Sequence, residues 1–274
     1  MSVTAEDVKK LREKTGLPMM DCKKALMETQ GDFEAAIRWL REHGAKILSK
    51  RADRVTEFGR FGIYYDDSVG AMVELKCESA PVVQNAEVIE LADALARQLA
   101  LGPGAATAEE LLEQPSPVRS NMTLREHRDE VFNRIREVFN VGRLVRLQGR
   151  CSGYLHAGSR FHGVLLRADG GTAEALRDIC MHIAAMAPAV LRVDDLDPAV
   201  VEAERRVLLE ATLKQGKPQQ VAEKIVQGRL KDFYAERVLL EQPFVKDNSM
   251  TVGKFAERHG IQIHQFVHWI IGQS

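Results

Sequence analysis

Residues 61–75 read FGIYYDDSVGAMVEL, a pattern that predicts two β-strands joined by a turn. The strands are expected at 61–65 and 70–75, because the Asp-Asp-Ser sequence between them favours a turn. Apolar residues at helical spacing follow, which predicts a helix packed on one face of this hairpin. The helix positions are Val88, Leu91, Ala92, Leu95, Ala96 and Leu99.

The same order of elements occurs again in the middle of the chain. Strands are expected at 153–156 and 163–166, and a helical apolar stripe follows them. Gly62 corresponds to Gly153 and Gly70 to Gly163, at nearly the same offset. We interpret this repetition as an internal duplication and predict an α+β fold with two sheet-plus-helix core subdomains.

The first 45 residues have a separate helical pattern. A capping box is expected between Thr4 and Asp7 at the start of the first helix. Two turn sequences separate three short helices, and the third helix is expected to end at Gly44. The basic stretch 46–60 lacks apolar periodicity, and we interpret it as a solvated linker in preference to a site for an acidic partner.

Residues 197–240 predict two helices of similar length around the turn Gly216-Lys217-Pro218. We expect them to form an antiparallel helical hairpin that projects as an arm. The residues expected to face inward on its first helix are Val201, Val207, Leu208 and Ala211. The predicted division is a three-helix domain at 1–45, a linker at 46–60, a first core subdomain at 61–147, a second at 148–196 and 241–274, and the arm at 197–240.

Composition excludes several classes of protein. Hydrophobic residues make up 45% of the 274-residue chain, which is typical of a globular protein and argues against overall disorder. The net charge of −1 and the aromatic content of 6% give no electrostatic or stacking basis for nucleic-acid binding. No apolar run is long enough for a membrane span. The spacing of the four cysteines favours reduced thiols over disulfides or a metal site. We expect a cytoplasmic protein without a membrane or direct nucleic-acid partner.

The sequence contains no recognisable enzyme motif. It lacks a phosphate-binding P-loop, a GxSxG nucleophile elbow and a GxGxxG sequence after a strand. His264 and His268 lie four residues apart on an expected helix, but Gln265 occupies the glutamate position of a zinc-protease motif and no third ligand is evident. We therefore predict no catalytic residues, no cofactor and no metal.

Three stretches near the N-terminus carry a family resemblance. They read VKKLREKTG at 8–16, MMDCKKAL at 19–26 and GDFEAAIRWL at 31–40. Together they resemble the opening of the bacterial translation elongation factor Ts family. The similarity continues in order at Glu137 and Arg143 and then through 156–166, 181–185, 216–218, 222–229, 242–245 and 251–253.

The resemblance implies a ubiquitin-associated-like N-terminal domain and a guanine-nucleotide exchange factor for elongation factor Tu. By this resemblance, the positions that contact the partner's GTPase domain are Arg12, Met19 and Met20. The contact candidates in the second repeat are His156, Arg160, Met181 and His182. Whether the complex contains one or two copies of each protein stays open.

The family's central motif, Thr-Asp-Phe-Val after a strand that ends in Cys-Glu, is altered here. Cys77-Glu78 is followed by Ser79, Ala80, Pro81 and Val82, so the acid and the aromatic ring are both absent. In the family, this loop disturbs the magnesium and phosphate site of the GTPase. The leading prediction is exchange that promotes GDP release during elongation. The alternative is a binding or chaperone-like partner of elongation factor Tu with weak exchange activity.

Overall fold

A computed structural model describes residues 3–51, 53–158 and 161–273. The described chain is a mixture of α-helices and small antiparallel sheets, which confirms the predicted α+β class. It divides into two compact units. The first comprises Met1–Tyr64, Ala71–Arg146 and Ile271–Ser274, and the second comprises Tyr65–Gly70 and Leu147–Ile270. None of the described helices is both long and apolar enough to cross a membrane.

The first unit begins with three helices, α1 (Ala5–Thr15), α2 (Met19–Glu28) and α3 (Phe33–Arg51). Thr4 and Asp7 form the capping box expected at the start of α1. Gly16 ends that helix in the left-handed conformation, at φ 69°, where a side chain would be strained. The three helices enclose a small apolar core of Val8, Leu11, Cys22, Ala25, Leu26, Ala36 and Leu40.

The predicted end of α3 at Gly44 is wrong, because the helix continues to Arg51 and takes in the start of the predicted linker. Gly44 is buried inside the helix, and a Cβ at this position would lie 1.9 Å from the Asn133 side-chain oxygen. A glycine within a helix costs only about 1 kcal/mol relative to alanine. Here the glycine permits close packing and does not terminate the helix.

The first sheet has the strand order β1-β2-β3, with β1 at Phe58–Tyr65, β2 at Val69–Cys77 and β3 at Asn140–Gln148. Three helices connect β2 to β3: α4 (Ala86–Leu101), α5 (Ala108–Leu112) and α6 (Leu124–Ile135). The backbone of α4 lies directly against β1, because a Cβ on Gly62 would come within 1.8 Å of the Ala92 carbonyl oxygen. The last of these helices, α6, ends at Ile135, since Arg136 adopts a left-handed conformation.

The second unit contains β4 (Cys151–Ala157), β5 (Phe161–Asp169), α7 (Ala173–Met186), α8 (Pro198–Lys214), α9 (Gln219–Arg237), β6 (Pro243–Phe244), β7 (Asp247–Thr251), α10 (Val252–Arg258) and β8 (Gln262–Ile270). Its main sheet has the order β4-β5-β8 with antiparallel pairing. The apolar face of α7, including Leu176, Ile179 and Ile183, shares a core with Val164 and Leu166 of β5. The helix thus covers one face of the sheet.

The segment with His264 and His268 is β8 and not a helix, because it pairs with β5 along nearly its whole length. The two histidines have separate partners. His264 Nε2 lies 2.7 Å from the Asp169 carboxylate, and His268 Nε2 lies 3.2 Å from His162 Nδ1. Among the described residues, no group of three His, Cys, Asp or Glu side chains could hold a metal ion.

The arm consists of α8 and α9, which run as a helical hairpin with few buried side chains. Those buried are Thr212, Ala222, Val226 and Phe233. Val207 and Ala211 were expected to face inward, but both are exposed, Val207 to 60%. A two-helix hairpin has one narrow contact face, and Val207 lies about 100° around the helix from Leu208. The contact face of α8 follows Leu208 and Thr212, which leaves Val207 on the solvent side.

Candidate functional site

The β2–α4 loop, residues 78–85, occupies the position of the altered family motif. Pro81 begins a short 3-10 helix that ends at Gln84, and Asn85 then caps α4 by accepting the Glu87 N–H at 2.9 Å. Ala80 and Pro81 are exposed. The loop therefore presents a small apolar turn to solvent.

The downstream end of the loop is anchored in the first unit. The Val83 side chain is buried, with 5% of its surface exposed. The Val83 carbonyl oxygen accepts a hydrogen bond of 2.9 Å from the buried Arg60 guanidinium. Because the backbone after Pro81 is held in this way, the exposed turn has little freedom to move away from the helix that follows it.

Two carboxylates hold the upstream end of the loop: Glu137 binds the loop from outside, and Glu78 binds outward from the loop. The Ser79 N–H and hydroxyl donate to the Glu137 carboxylate at 3.0 and 2.5 Å. In return, the Val138 N–H donates to Glu78 Oε1 at 2.9 Å. Hydrogen bonds to a charged acceptor are among the stronger ones in proteins, so these bonds tie the loop firmly to the segment after α6.

Local electrostatics favour a charged Glu78 and a neutral Cys77. Burial alone raises the pKa of Glu78, but the Val138 N–H and the Arg54 guanidinium 2.8 Å away outweigh it, and the net pKa is lowered. Burial raises the pKa of the Cys77 thiol to about 11, and the nearby Glu137 charge adds to the shift. A thiol with this pKa is protonated near neutral pH and is a poor nucleophile.

Arg12, Met19 and Met20 lie on either side of the turn that joins α1 to α2. All three are exposed, with Met20 at 70% and Met19 at 46%. Exposed methionine is flexible and polarisable, which suits contact with an apolar partner surface. Next to them, Asp21 forms an ion pair with Arg136, the residue immediately before Glu137.

The candidates of the second repeat lie in different environments. His156 is exposed near the end of β4, where its Nδ1 lies 3.3 Å from the Tyr154 hydroxyl. Met181 is half-buried on α7. Arg160 lies outside the described residues. His156 and Met181 thus have surface available to a partner.

His182 requires a correction, because its side chain is fully buried. Its Nε2 lies 2.9 Å from the Gln242 side-chain oxygen, and its Nδ1 accepts the Val245 N–H at 3.1 Å. Burial lowers the pKa of His182, although the Gln242 bond partly opposes the shift, so the ring is neutral. Both ring nitrogens are used within the second unit, and His182 orders the strand at Phe244 and has no surface for a partner.

Glu137 resembles a residue of the family's helix-to-strand junction, but nothing in the sequence predicts that it contacts the β2–α4 loop. The residue lies 58 positions from Ser79, and no local pattern predicts a contact over that separation. The available signal was the resemblance at Glu137 and Arg143, which marks a junction between a helix and a strand and not a contact with the loop. Only the fold brings the end of α6 beside the end of β2.

Comparison with known proteins gives the family of the chain. The family model described as "Elongation factor TS" matches residues 78–273, which include the β2–α4 loop and the whole second sheet. The chain belongs to the elongation factor Ts family. The predicted resemblance is thereby confirmed, and elongation factor Ts proteins are translation factors of protein biosynthesis.

Several curated elongation factor Ts proteins are similar over the full chain. The protein from Methylococcus capsulatus is 39% identical over 279 residues, which cover 100% of this chain and 94% of the relative. That from Idiomarina loihiensis is 36% identical, with coverage of 100% and 92%. That from Halothermothrix orenii is 34% identical, with coverage of 100% and 94%.

Proposed function

We propose that this elongation factor Ts protein is a guanine-nucleotide exchange factor that binds elongation factor Tu with GDP and promotes GDP release. The observation that carries the proposal is the β2–α4 loop, an exposed turn anchored at both ends at the family's motif position. An exchange factor needs no nucleophile or metal of its own. It acts by binding the nucleotide-free partner more tightly than the nucleotide-bound partner, and this coupling is reciprocal.

In this proposal, the partner is held at three places. Arg12, Met19 and Met20 contact its GTPase domain, and the exposed surfaces of His156 and Met181 contact it through the second repeat. Ala80 and Pro81 act as a small rigid apolar wedge, with Ser79 and Val82 on either side. The resemblance also supports a ubiquitin-associated-like fold for α1–α3 and a duplicated α+β core, with domain boundaries near those predicted.

The test is stopped-flow release of a fluorescent GDP from the cognate elongation factor Tu, with this protein titrated over a wide range. Strong acceleration at substoichiometric amounts supports exchange. Replacement of Ser79-Ala80-Pro81 by Thr-Asp-Phe is expected to raise the maximal release rate further, since the larger ring and the acid add contacts to the wedge.

A second function is favoured by one observation, the absence of the family motif's Asp and Phe from the β2–α4 loop. It is a binding or chaperone-like role toward elongation factor Tu with weak exchange. Complex formation in gel filtration without acceleration of GDP release would decide for this role and against exchange.

A further inference from the structure

Three consecutive residues after α6 connect to three separate parts of the first unit. Arg136 adopts a left-handed backbone conformation at φ 67°, and its guanidinium pairs with Asp21 of α2. The Arg136 carbonyl oxygen accepts a hydrogen bond of 2.8 Å from Arg51 at the end of α3. Residues 136–138, which we name the junction, thus hold the N-terminal helices.

The same junction holds the β2–α4 loop. Glu137 accepts both the N–H and the hydroxyl of Ser79, and the Val138 N–H is bound by Glu78. The Ser79 N–H and hydroxyl bind different oxygens of Glu137, an arrangement that a carboxylate supplies and that an amide, with a single acceptor oxygen, does not reproduce. The junction is therefore the common support of the loop and of the helix that carries Met19 and Met20.

This support matters because the exposed turn is small. A large aromatic wedge can adjust its position within a partner's surface, whereas Ala80 and Pro81 reach only as far as the backbone carries them. Fixing the backbone before binding reduces the entropy lost on binding. Pro81 restricts the turn from within, and the Ser79 bonds restrict it from outside.

On the basis of the proposed exchange function, we infer that Glu137 is a positioning residue for GDP release. Glu137 sets the distance and direction from the Met19–Met20 surface to the Ala80–Pro81 wedge. Without it, the protein still binds its partner through the other contacts. The wedge then reaches the nucleotide site in only a fraction of the complexes, so the maximal release rate falls.

The experiment compares GDP release by the wild-type protein with that by Glu137→Ala and Ser79→Ala, each titrated to saturation. We expect Glu137→Ala to lower the maximal rate about tenfold, equivalent to about 1.4 kcal/mol, with less than a threefold change in the half-saturating concentration. Ser79→Ala removes one of the two bonds and is expected to give a smaller loss. Ser79→Thr keeps the hydroxyl, so its maximal release rate should equal that of the wild-type protein.

The matched control is Glu113→Ala, which removes a surface ion pair between the end of α5 and Arg125 of α6, in the same unit. This variant is expected to behave as wild type. Hydrogen exchange supplies a second measurement: the amides of residues 79, 80 and 82–84 should exchange faster in Glu137→Ala, while those of α4 stay protected. Ser79→Ala keeps the junction carboxylates, so it tests the inference even if Glu137→Ala does not fold.

The outcomes separate this inference from the proposed function. If the wild-type protein accelerates release and both variants match its maximal rate, Glu137 has no positioning role. A rise in the half-saturating concentration alone would assign Glu137 to binding and also overturn the inference. If the wild-type protein itself gives no acceleration, the exchange function fails, and the inference fails with it.

Discussion

The β2–α4 loop and the α8–α9 arm are both exposed, but they are stabilised in different ways. The loop is held upstream of its exposed turn by bonds to residues 58 and 60 positions away, and downstream by a bond from Arg60, 23 positions away. The arm depends mainly on contacts between two neighbouring helices; four of their side chains are buried, and one of these, Phe233, packs with Leu196 and Val238 outside them. Exposure alone therefore says little about rigidity, which is determined by where the supporting contacts come from.

This difference has a physical consequence. Local opening of a helical hairpin loses few buried contacts and costs little free energy, whereas release of the loop requires charge-assisted bonds to break. The first unit should therefore respond strongly to changes at its packed positions. The arm should tolerate substitution, and it can be stabilised by improved helix propensity.

The largest expected effect is that of Gly62→Ala, where β1 meets α4. A Cβ at this position would lie 1.8 Å from the Ala92 carbonyl oxygen, so backbone must move. We expect a loss of about 3 kcal/mol in the free energy of unfolding, at the upper end of overpacking effects. Urea denaturation measures it, and a loss below about 1 kcal/mol would show that α4 can shift freely.

The second effect is acid destabilisation of the first unit through His127. Burial, followed by the nearby Arg119 and Arg134 charges, lowers the pKa of His127 to about 4 from an ordinary value of 6.5. Between these values the unfolded chain binds the proton and the folded chain does not, so stability falls as pH falls. The loss approaches about 3 kcal/mol at pH 4.

Denaturation of wild-type and His127→Gln proteins at pH 4 to 7 checks this expectation. The variant cannot titrate at this position, so its stability should depend less steeply on pH in this interval. An equal dependence of stability on pH in the two proteins would mean that His127 keeps its ordinary pKa in the folded protein.

The third effect is a gain in the stability of the arm from Gly228→Ala. Apart from its chain neighbours and the backbone of α9 itself, no atom of the described residues lies within 4 Å of the Cβ that this change would add. Alanine is favoured over glycine within a helix by about 1 kcal/mol. Hydrogen exchange of the arm amides should slow by a corresponding factor, and faster exchange would indicate that the arm needs the flexibility of glycine.

The smallest effect is expected for Val207→Gln on the outer face of α8. The Val207 side chain is 60% exposed, and surface changes of this kind usually alter stability by less than about 0.5 kcal/mol. Thermal unfolding should be unchanged. A loss above 1 kcal/mol would show that Val207 is buried in solution, as its sequence pattern first indicated.

The site was predictable where its residues are neighbours in sequence. The exposed turn at Ala80-Pro81 and the Met19–Met20 surface each lie within a few residues of a break between elements, and breaks are readable from glycine, proline and polar residues. The partners Glu137, Arg54 and Arg136 were not predictable as a set, because they come from different elements and meet only in the folded chain. His182 shows the reverse error, since its family position indicated contact while its packing uses both ring nitrogens.

The sequence by itself determined the α+β class, the three N-terminal helices, the helical hairpin and the family, because periodicity, caps and contiguous motifs are local properties of a chain. The tertiary structure alone decided that α3 passes through Gly44, that the His264 segment is a strand and that Val207 faces solvent. Each of these depends on what packs opposite: the Asn133 side chain, the β5 edge and the single contact face of a two-helix arm. Propensity is a weak preference of fractions of a kcal/mol per residue, and a distant packing partner outweighs it.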